Sequence, residues 1–354
     1  MNAGTCRAVA VAIVAMMTGS LPSGTDVVRD RQWHLDYLRV ASAHQLALGE
    51  GVTIALVDSG VDAKHPDLRG NVVAGTVTAP NQAGDGRIDT SGHGTAMAGI
   101  IVGHGHGDGA GVLGMAPRAK VLPIRVSFEL STDGDRSGIA HAIDYAVDHD
   151  AAIINLSVAT QPSEVVREAV GRAVSADIVV IAGIGNESGG LFISALATYP
   201  GVLAVGAVDR SGRRAPVSLT GPEVALAAPG VEIETTGLNG TYGYGTGTSE
   251  ATAIVSGAAA EVVHRLTATA TDAGPPGRDE EYGFGILNLV DALTKDVPPL
   301  GGSSTTPAAP KTSQATRTPN TGSGIPRGVL VAVVLLFLLA AAGTWTSLRR
   351  RAGN

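Results

Sequence analysis

The sequence predicts an α/β fold: a single domain with a mostly parallel sheet covered by helices on both faces, followed by a C-terminal transmembrane helix. Three observations point there. Short runs rich in valine and isoleucine recur at residues 52–57, 121–126, 151–158, 178–182, 202–208 and 224–228, and unbroken apolar runs of this length suit strands buried on both faces, as parallel strands are. Segments with helical spacing lie between them, carrying charges on the opposite side, and such alternation builds strand–helix–strand units. Finally, residues 328–348 hold 21 positions without a charge, enough for a helix of about 31 Å, the thickness of a hydrocarbon core.

From the N-terminus, residues 8–17 form an apolar run behind Arg7, followed by Gly19, Ser20, Pro22 and Ser23. This is the pattern of a secretory signal peptide, assigned to residues 1–25 although no clean Ala-x-Ala site marks the cut. Residues 26–50 form an arm, with helical spacing from Trp33 to Leu46, and residues 51–297 form the domain. Within it the strand at 52–57 ends on Asp58-Ser59-Gly60. Ile139, Ile143 and Val147 share one face of a helix between the runs at 121–126 and 151–158, and Val166, Val170 and Val174 share one face of the next. No internal repeat and no break separates Val52 from Leu293, so one domain accounts for the stretch. Residues 298–327 are dominated by proline, glycine, serine, threonine and alanine, with no acid and too few large apolar residues to build a core, and read as a linker. Beyond the apolar segment at 328–348, Arg349, Arg350 and Arg351 outweigh Arg327 on its other side. The positive-inside rule therefore puts the tail 349–354 in the cytoplasm and the domain outside a cell membrane crossed once.

Composition excludes several functions. Of 354 residues, 44% are hydrophobic and 16% charged, which fits neither a charge-rich disordered chain nor a coiled coil. Cys6 is the one cysteine, so there is no intramolecular disulfide and no cysteine zinc site. The formal charge of −7 hides an asymmetry, because seven bases lie in the acid-free ends. The remaining 18 bases face 32 acids, about −14 for residues 26–296, and an acidic surface does not bind nucleic acid.

The chemistry is carried by three short motifs. Asp58 ends a strand, and parallel sheets place their sites at the carboxyl ends of strands. Alone it reads as a turn or cap aspartate. His93 stands in Ser91-Gly92-His93-Gly94-Thr95, opening an uncharged helix of small residues. Ser249 stands in Gly245-Thr246-Gly247-Thr248-Ser249-Glu250-Ala251, opening another. A nucleophilic serine needs a base for its proton, an acid to orient that base, and donors for the developing oxyanion. Asp58, His93 and Ser249 supply the first parts.

Their chain order, together with Val57-Asp58-Ser59-Gly60-Val61-Asp62, His65-Pro66-Asp67-Leu68, Gly92-His93-Gly94-Thr95, Gly183-Ile184-Gly185-Asn186-Glu187 and Gly247-Thr248-Ser249, resembles the subtilisin-like serine peptidase family from about residue 51 to residue 293. The resemblance implies a three-layer subtilisin-like domain in which Asp58 orients His93, His93 serves as general base and then general acid, and Ser249 attacks the scissile carbonyl. It makes Asn186, otherwise a turn former, an oxyanion donor beside the Ser249 N–H. In subtilisin, loss of that donor lowers turnover roughly a hundred- to a thousandfold. It also implies that a protein or peptide substrate pairs as an added strand with Ser157, Val158 and Ala159. Ala159 stands where the family usually has glycine, and Ile184, Gly185 and Glu187 are expected to line the same pocket.

Two departures stand out: Ala253 replaces the proline the family generally carries after the serine, and Glu250 sits beside the nucleophile. Glu250 is read as an acid at a helix start, where negative charge suits the dipole, rather than as a charge turned on His93. Within the family, Arg31-Gln32-Trp33-His34-Leu35, the short segment before the first strand, the proline-rich linker and the terminal helix resemble the membrane-anchored mycosins of actinobacterial type VII secretion. That resemblance implies a secretion machine as partner. Many relatives bind calcium, but here no cofactor or metal is assigned, because a few acids in a glycine loop do not define a cage for a hard cation. His104, His106 and Asp108 are accordingly read as parts of a flexible surface loop, and Trp33 as a packing anchor for the arm. An idle scaffold on the same fold would have no need to keep acid, base, nucleophile and amide together.

Overall fold

Every apolar run expected to be a strand is one, and each lies beside another in parallel. The strands, in chain order, are β1 (Thr53–Asp58), β2 (Thr76–Val77), β3 (His104–His106), β4 (Ala110–Leu113), β5 (Lys120–Arg125), β6 (Ile153–Leu156), β7 (Val179–Gly183), β8 (Val202–Val208), β9 (Val224–Pro229), β10 (Ile233–Thr236) and β11 (Tyr242–Gly245). The computed structural model describes residues 27–107, 109–127, 133–187, 193–259 and 263–297. The signal peptide, linker, transmembrane helix and tail assigned above lie outside them, as does Asp108. Among the described residues no helix is long and apolar enough to cross a membrane.

Seven strands form one sheet in the order β2-β5-β1-β6-β7-β8-β9, and every neighbouring pair is parallel. The continuous apolar character of these strands follows from their burial on two sides. Along β1, Ile54 and Leu56 point into a core with Met97, Ile100, Ile101, Ile254 and Val255. Ala55 and Val57, alternating with them, join Ile124, Ile139, Ile143, Val166 and Val170 on the other face. The first core belongs to helices α4 (His93–Val102) and α7 (Thr248–Ala258), the second to α5 (Asp133–Asp148) and α6 (Glu164–Ser175). From β1 the sheet extends one way to β5 and the other way to β6. The carboxyl end of β1 is therefore a switch point in strand order, the place where open parallel sheets leave a crevice.

Two antiparallel hairpins were not expected. The glycine-rich segment read as a flexible surface loop forms β3, which pairs with β4. What orders it is a carboxylate far off in sequence: Asp67, fully buried, accepts from the Val112 N–H at 2.7 Å and contacts His106 Nδ1 at 2.5 Å. Gly111 has no room for a side chain, since a Cβ there would collide with that carboxylate. The hairpin does not fit a calcium cage, because the buried acid beside it is already engaged. Among the described residues no group of three or more histidine, cysteine, aspartate or glutamate side chains could hold a metal ion. The second hairpin, β10–β11, leads into α7.

The arm is three short helices, α1 (Val27–Arg31), α2 (Trp33–Tyr37) and α3 (Val40–Ala43), rather than one; Arg39, at φ 54°, breaks the last two apart. It is tied down by side chains that bond backbone. Gln32 donates to the Leu113 carbonyl and accepts from the Leu113 N–H, both at 2.9 Å, and Trp33 Nε1 donates to the Val231 carbonyl at 3.0 Å. Trp33 also packs edge-on against Tyr37, which makes it the anchor expected of it.

Beside these, His34 is fully buried and neither ring nitrogen has a hydrogen-bond partner among the described residues. Burial alone pulls its pKa down from 6.5 to about 3. Between those values the folded protein binds fewer protons than the unfolded chain. The stability this site contributes is therefore complete above pH 6.5 and is lost as pH falls toward about 3, by roughly 4–5 kcal/mol in all. Replacing His34 with leucine should flatten that limb when urea midpoints are compared between about pH 7 and about pH 4. Parallel curves for the two proteins would remove His34 as the source.

Candidate active site

Asp58 is the last residue of β1 and is fully buried. Its carboxylate accepts from the Ser59 N–H at 2.7 Å and holds His93 Nδ1 at 2.8 Å from Oδ1 and 3.0 Å from Oδ2. With Nδ1 donating, the basic lone pair of the imidazole is on Nε2. The approach of α4 to Asp58 depends on glycine. A Cβ at Gly94 would collide with the Gly60 carbonyl and lie 3.0 Å from Asp58 Oδ1, and Gly92 turns into the helix at φ 91°.

Asp89 completes this arrangement, and sequence reasoning missed it. Nearly buried, it accepts from the N–H groups of Ser91, Gly92 and Thr95 at 2.9–3.0 Å, and from the hydroxyls of Thr95 at 2.7 Å and Ser59 at 2.8 Å. Ser59 Oγ in turn accepts from the Gly94 N–H at 2.9 Å. One carboxylate thus satisfies donors left open at the start of α4 and ties them to the end of β1, which holds His93 against Asp58. An aspartate just before a helix start was the available signal. On its far side α4 is held by β10, where Thr235 and Thr236 hydroxyls donate to the carbonyls of Ala96 and Thr95.

Ser249 is the second residue of α7, which packs directly against α4. Its hydroxyl lies 3.4 Å from the Ser157 carbonyl, the residue that follows β6. Helix and strand are further joined by Asn155, whose Nδ2 donates to Ser256 Oγ at 2.8 Å. Asn186 follows β7 through Gly185, a turn at φ +121°. Its Oδ1 accepts from the Thr248 N–H at 2.9 Å and lies 3.1 Å from the Thr248 hydroxyl. That fixes the amide's orientation and leaves Nδ2 as its donor end. The carboxyl ends of β1, β6 and β7 and the first turns of α4 and α7 therefore bring Asp58, Ser157, Asn186, His93 and Ser249 to one edge of the sheet.

The residues expected to bind substrate divide. Residues 157–159 pair with no strand among the described residues; Ser157 and Val158 are buried and Ala159 is exposed. The Val158 side chain belongs to the core beneath, so this edge offers backbone. Ile184, expected to line the pocket, is instead fully buried with Ala197, Ala204 and Val224. Its N–H donates to Val205 and its carbonyl accepts from Ser194. Facing inward, it supports the turn at Gly185 and Asn186. Glu187 is exposed.

The reading of Glu250 as an ordinary helix-start acid also needs correction. It does lie in the first turn of α7, but it is only 7% exposed, and burial holds its carboxyl above the usual range. Burial pulls His93 down as well, yet the Asp58 charge and hydrogen bond, then Glu250 and Asp89, outweigh it and push the imidazole up to about 9. Ala253 is fully buried, and α7 runs through it without a break.

The model of the Subtilase family matches residues 49–285. Subtilisin E of Bacillus subtilis (strain 168) is 38% identical over 257 residues, an alignment covering 68% of this chain; the chain spans 65% of that relative's length. Among solved structures, MycP1 from Mycobacterium smegmatis is similar at a TM-score of 0.67 and 26% identity, over 86% of this chain and 91% of that one. The serine protease MycP1 described as an essential component of the type VII (ESX-1) secretion system is similar at a TM-score of 0.66 and 31% identity, over 77% of this chain and 90% of that one.

Proposed function

The chain belongs to the subtilase family, and on that premise we propose that it is an extracellular, membrane-anchored serine endopeptidase that works with a type VII secretion system. The observation that carries the activity is the Asp58–His93 contact, at 2.8 Å, standing where α4 meets the helix that begins with Thr248 and Ser249. In the first step His93 Nε2 takes the Ser249 proton as the oxygen adds to the scissile carbonyl. Asp58 holds the imidazole in the tautomer this requires and stabilises the imidazolium formed. The oxyanion is met by Asn186 Nδ2 and the Ser249 N–H, and His93 then hands its proton to the leaving amine. Water repeats the sequence on the acyl-enzyme. The substrate chain lies along residues 157–159, a backbone edge that recognises extended peptides generally.

Anchoring rests on residues 328–348 and the arginines behind them, and the secretion partner on the likeness to MycP1. A fluorophosphonate probe should label Ser249 in the full chain and not in Ser249→Ala. A folded wild-type protein that resists labelling would refute the activity. In intact cells, an added protease should remove the domain but spare a C-terminal tag, and the reverse pattern would invert the topology.

A further inference from the structure

The peptide edge at residues 157–159 is gripped at its two ends and open between them. At the near end Ser157 Oγ donates to Asn155 Oδ1 at 2.9 Å, and the Ser157 carbonyl faces the Ser249 hydroxyl at 3.4 Å. At the far end the Thr160 carbonyl accepts from the Ala195 N–H at 3.2 Å. Between these points no backbone group of Val158 or Ala159 bonds other backbone among the described residues, and beyond Thr160 the side chains of Gln161 and Pro162 are exposed. A strand inside a sheet is held by its neighbours along its whole length. This edge is held only by what fastens its flanks.

Tyr199 fastens the far flank, and the reaction above gives it no part. Its ring is buried in the same core as the Val158 side chain. Its hydroxyl bonds both backbone groups of Ser163, the residue that leads into α6: it accepts from the N–H at 2.9 Å and donates to the carbonyl at 3.0 Å. Tyr199 directly follows the 3-10 turn Ala195–Thr198, which supplies the N–H bonded to Thr160. Just before that turn, the Ser194 N–H donates to the Ile184 carbonyl at 3.0 Å, at the base of the turn through Gly185 to Asn186. Residues 194–199 therefore act as a splint, joining the far end of the peptide edge to the turn that carries the oxyanion amide. A substrate chain has to fit between those two borders.

We infer that Tyr199 is a positioning residue for the substrate: through Ser163 its hydroxyl fixes where the edge at 157–159 stands relative to Asn186 and Ser249, so that an extended peptide meets backbone groups already in place. The inference deepens the peptidase reading and rests on it. Without the hydroxyl the Ser163 N–H loses its partner. The Ser163 carbonyl keeps the Arg167 N–H, at 3.0 Å, so α6 still starts where it did. What loosens is the stretch from Ser163 back to Ala159. An edge that must be ordered when the peptide arrives binds it more weakly, while Asp58, His93 and Ser249 are left as they were.

The test uses the full chain and Tyr199→Phe, which deletes the hydroxyl and keeps the ring. Tyr145→Phe serves as a control, since it deletes a tyrosine hydroxyl bonded to the Gly75 carbonyl at 3.3 Å. Each protein is given an extended peptide and an acyl ester with no peptide chain to lay on the edge. For Tyr199→Phe the KM of the peptide should rise on the order of tenfold with kcat little changed; ester hydrolysis and both constants of Tyr145→Phe should match wild type. Binding of the same peptide is also measured on Ser249→Ala with and without Tyr199→Phe, where nothing turns over, and should weaken by the same factor. An unchanged peptide KM and affinity overturn the inference, as does an equal loss on the ester or in Tyr145→Phe. If affinity weakens while the wild-type protein hydrolyses neither substrate, the positioning role stands and the peptidase reading falls.

Discussion

Replacing Ser249 with alanine is expected to lower kcat by about six orders of magnitude, the scale of the same loss in subtilisin, while leaving the protein folded. The hydroxyl contributes little to the fold. Its hydrogen bond to the Ser157 carbonyl is long, at 3.4 Å, and α7 is held by the fully buried Ala251, Ala253, Ile254 and Val255. Alanine is also the better helix former, so stability should change by no more than about 1 kcal/mol. What disappears is the atom that bonds to the substrate, and neither Asp58 nor His93 can substitute for it. Because the three act as a unit, adding His93→Ala to Ser249→Ala should cost almost nothing more. A Ser249→Ala protein that hydrolyses a chromogenic peptide within tenfold of wild type would end the mechanism.

The second large effect is expected from Asp58→Asn, a change of one atom that should reduce kcat by about ten-thousandfold. His93 Nδ1 lies 2.8 Å from Oδ1, which also accepts from the Ser59 N–H, and 3.0 Å from Oδ2; asparagine removes the negative charge that stabilises the imidazolium and places an NH₂ group beside Nδ1. An NH₂ that donates there makes Nδ1 the acceptor, and the ring proton then sits on Nε2, where the lone pair is needed. Asp58 is fully buried and offers a substrate no surface, so the loss should appear in kcat with KM nearly unchanged. A loss carried mainly by KM would show that Asp58 shapes the binding edge rather than the base.

Most of the frame of this site was legible in the chain. The Val- and Ile-rich runs became neighbouring parallel strands because residues buried on both faces have no polar alternation to lose. Asp58, His93, Asn186 and Ser249 were legible as candidates because each stands within two residues of a glycine at the mouth of an element, where backbone must pass close to backbone; the collision a Cβ at Gly94 would have with Gly60 is an instance. Asp89 escaped notice because a carboxylate before a helix has an ordinary use as a cap, and its bond to Ser59, 30 residues away, appears only when strand and helix meet.

The sequence by itself determined the strand–helix alternation, the acidic domain and the identity of the groups suited to acyl transfer, since these follow from local pattern and from the side chains each chemical role requires. The tertiary structure alone decided which way side chains face and which charges share low-dielectric space. Ile184 looked like a pocket residue and is packed inward with Ala204 and Val224. The glycine-rich segment at His104–His106 looked mobile and is ordered by a buried carboxylate 39 residues from His106. Glu250 looked like an ordinary helix-start acid and lies buried, its carboxylate against Gly245 and Gly247. In each case the deciding quantity is a contact or a desolvation set by residues distant in the chain, and periodicity records only neighbours along one element.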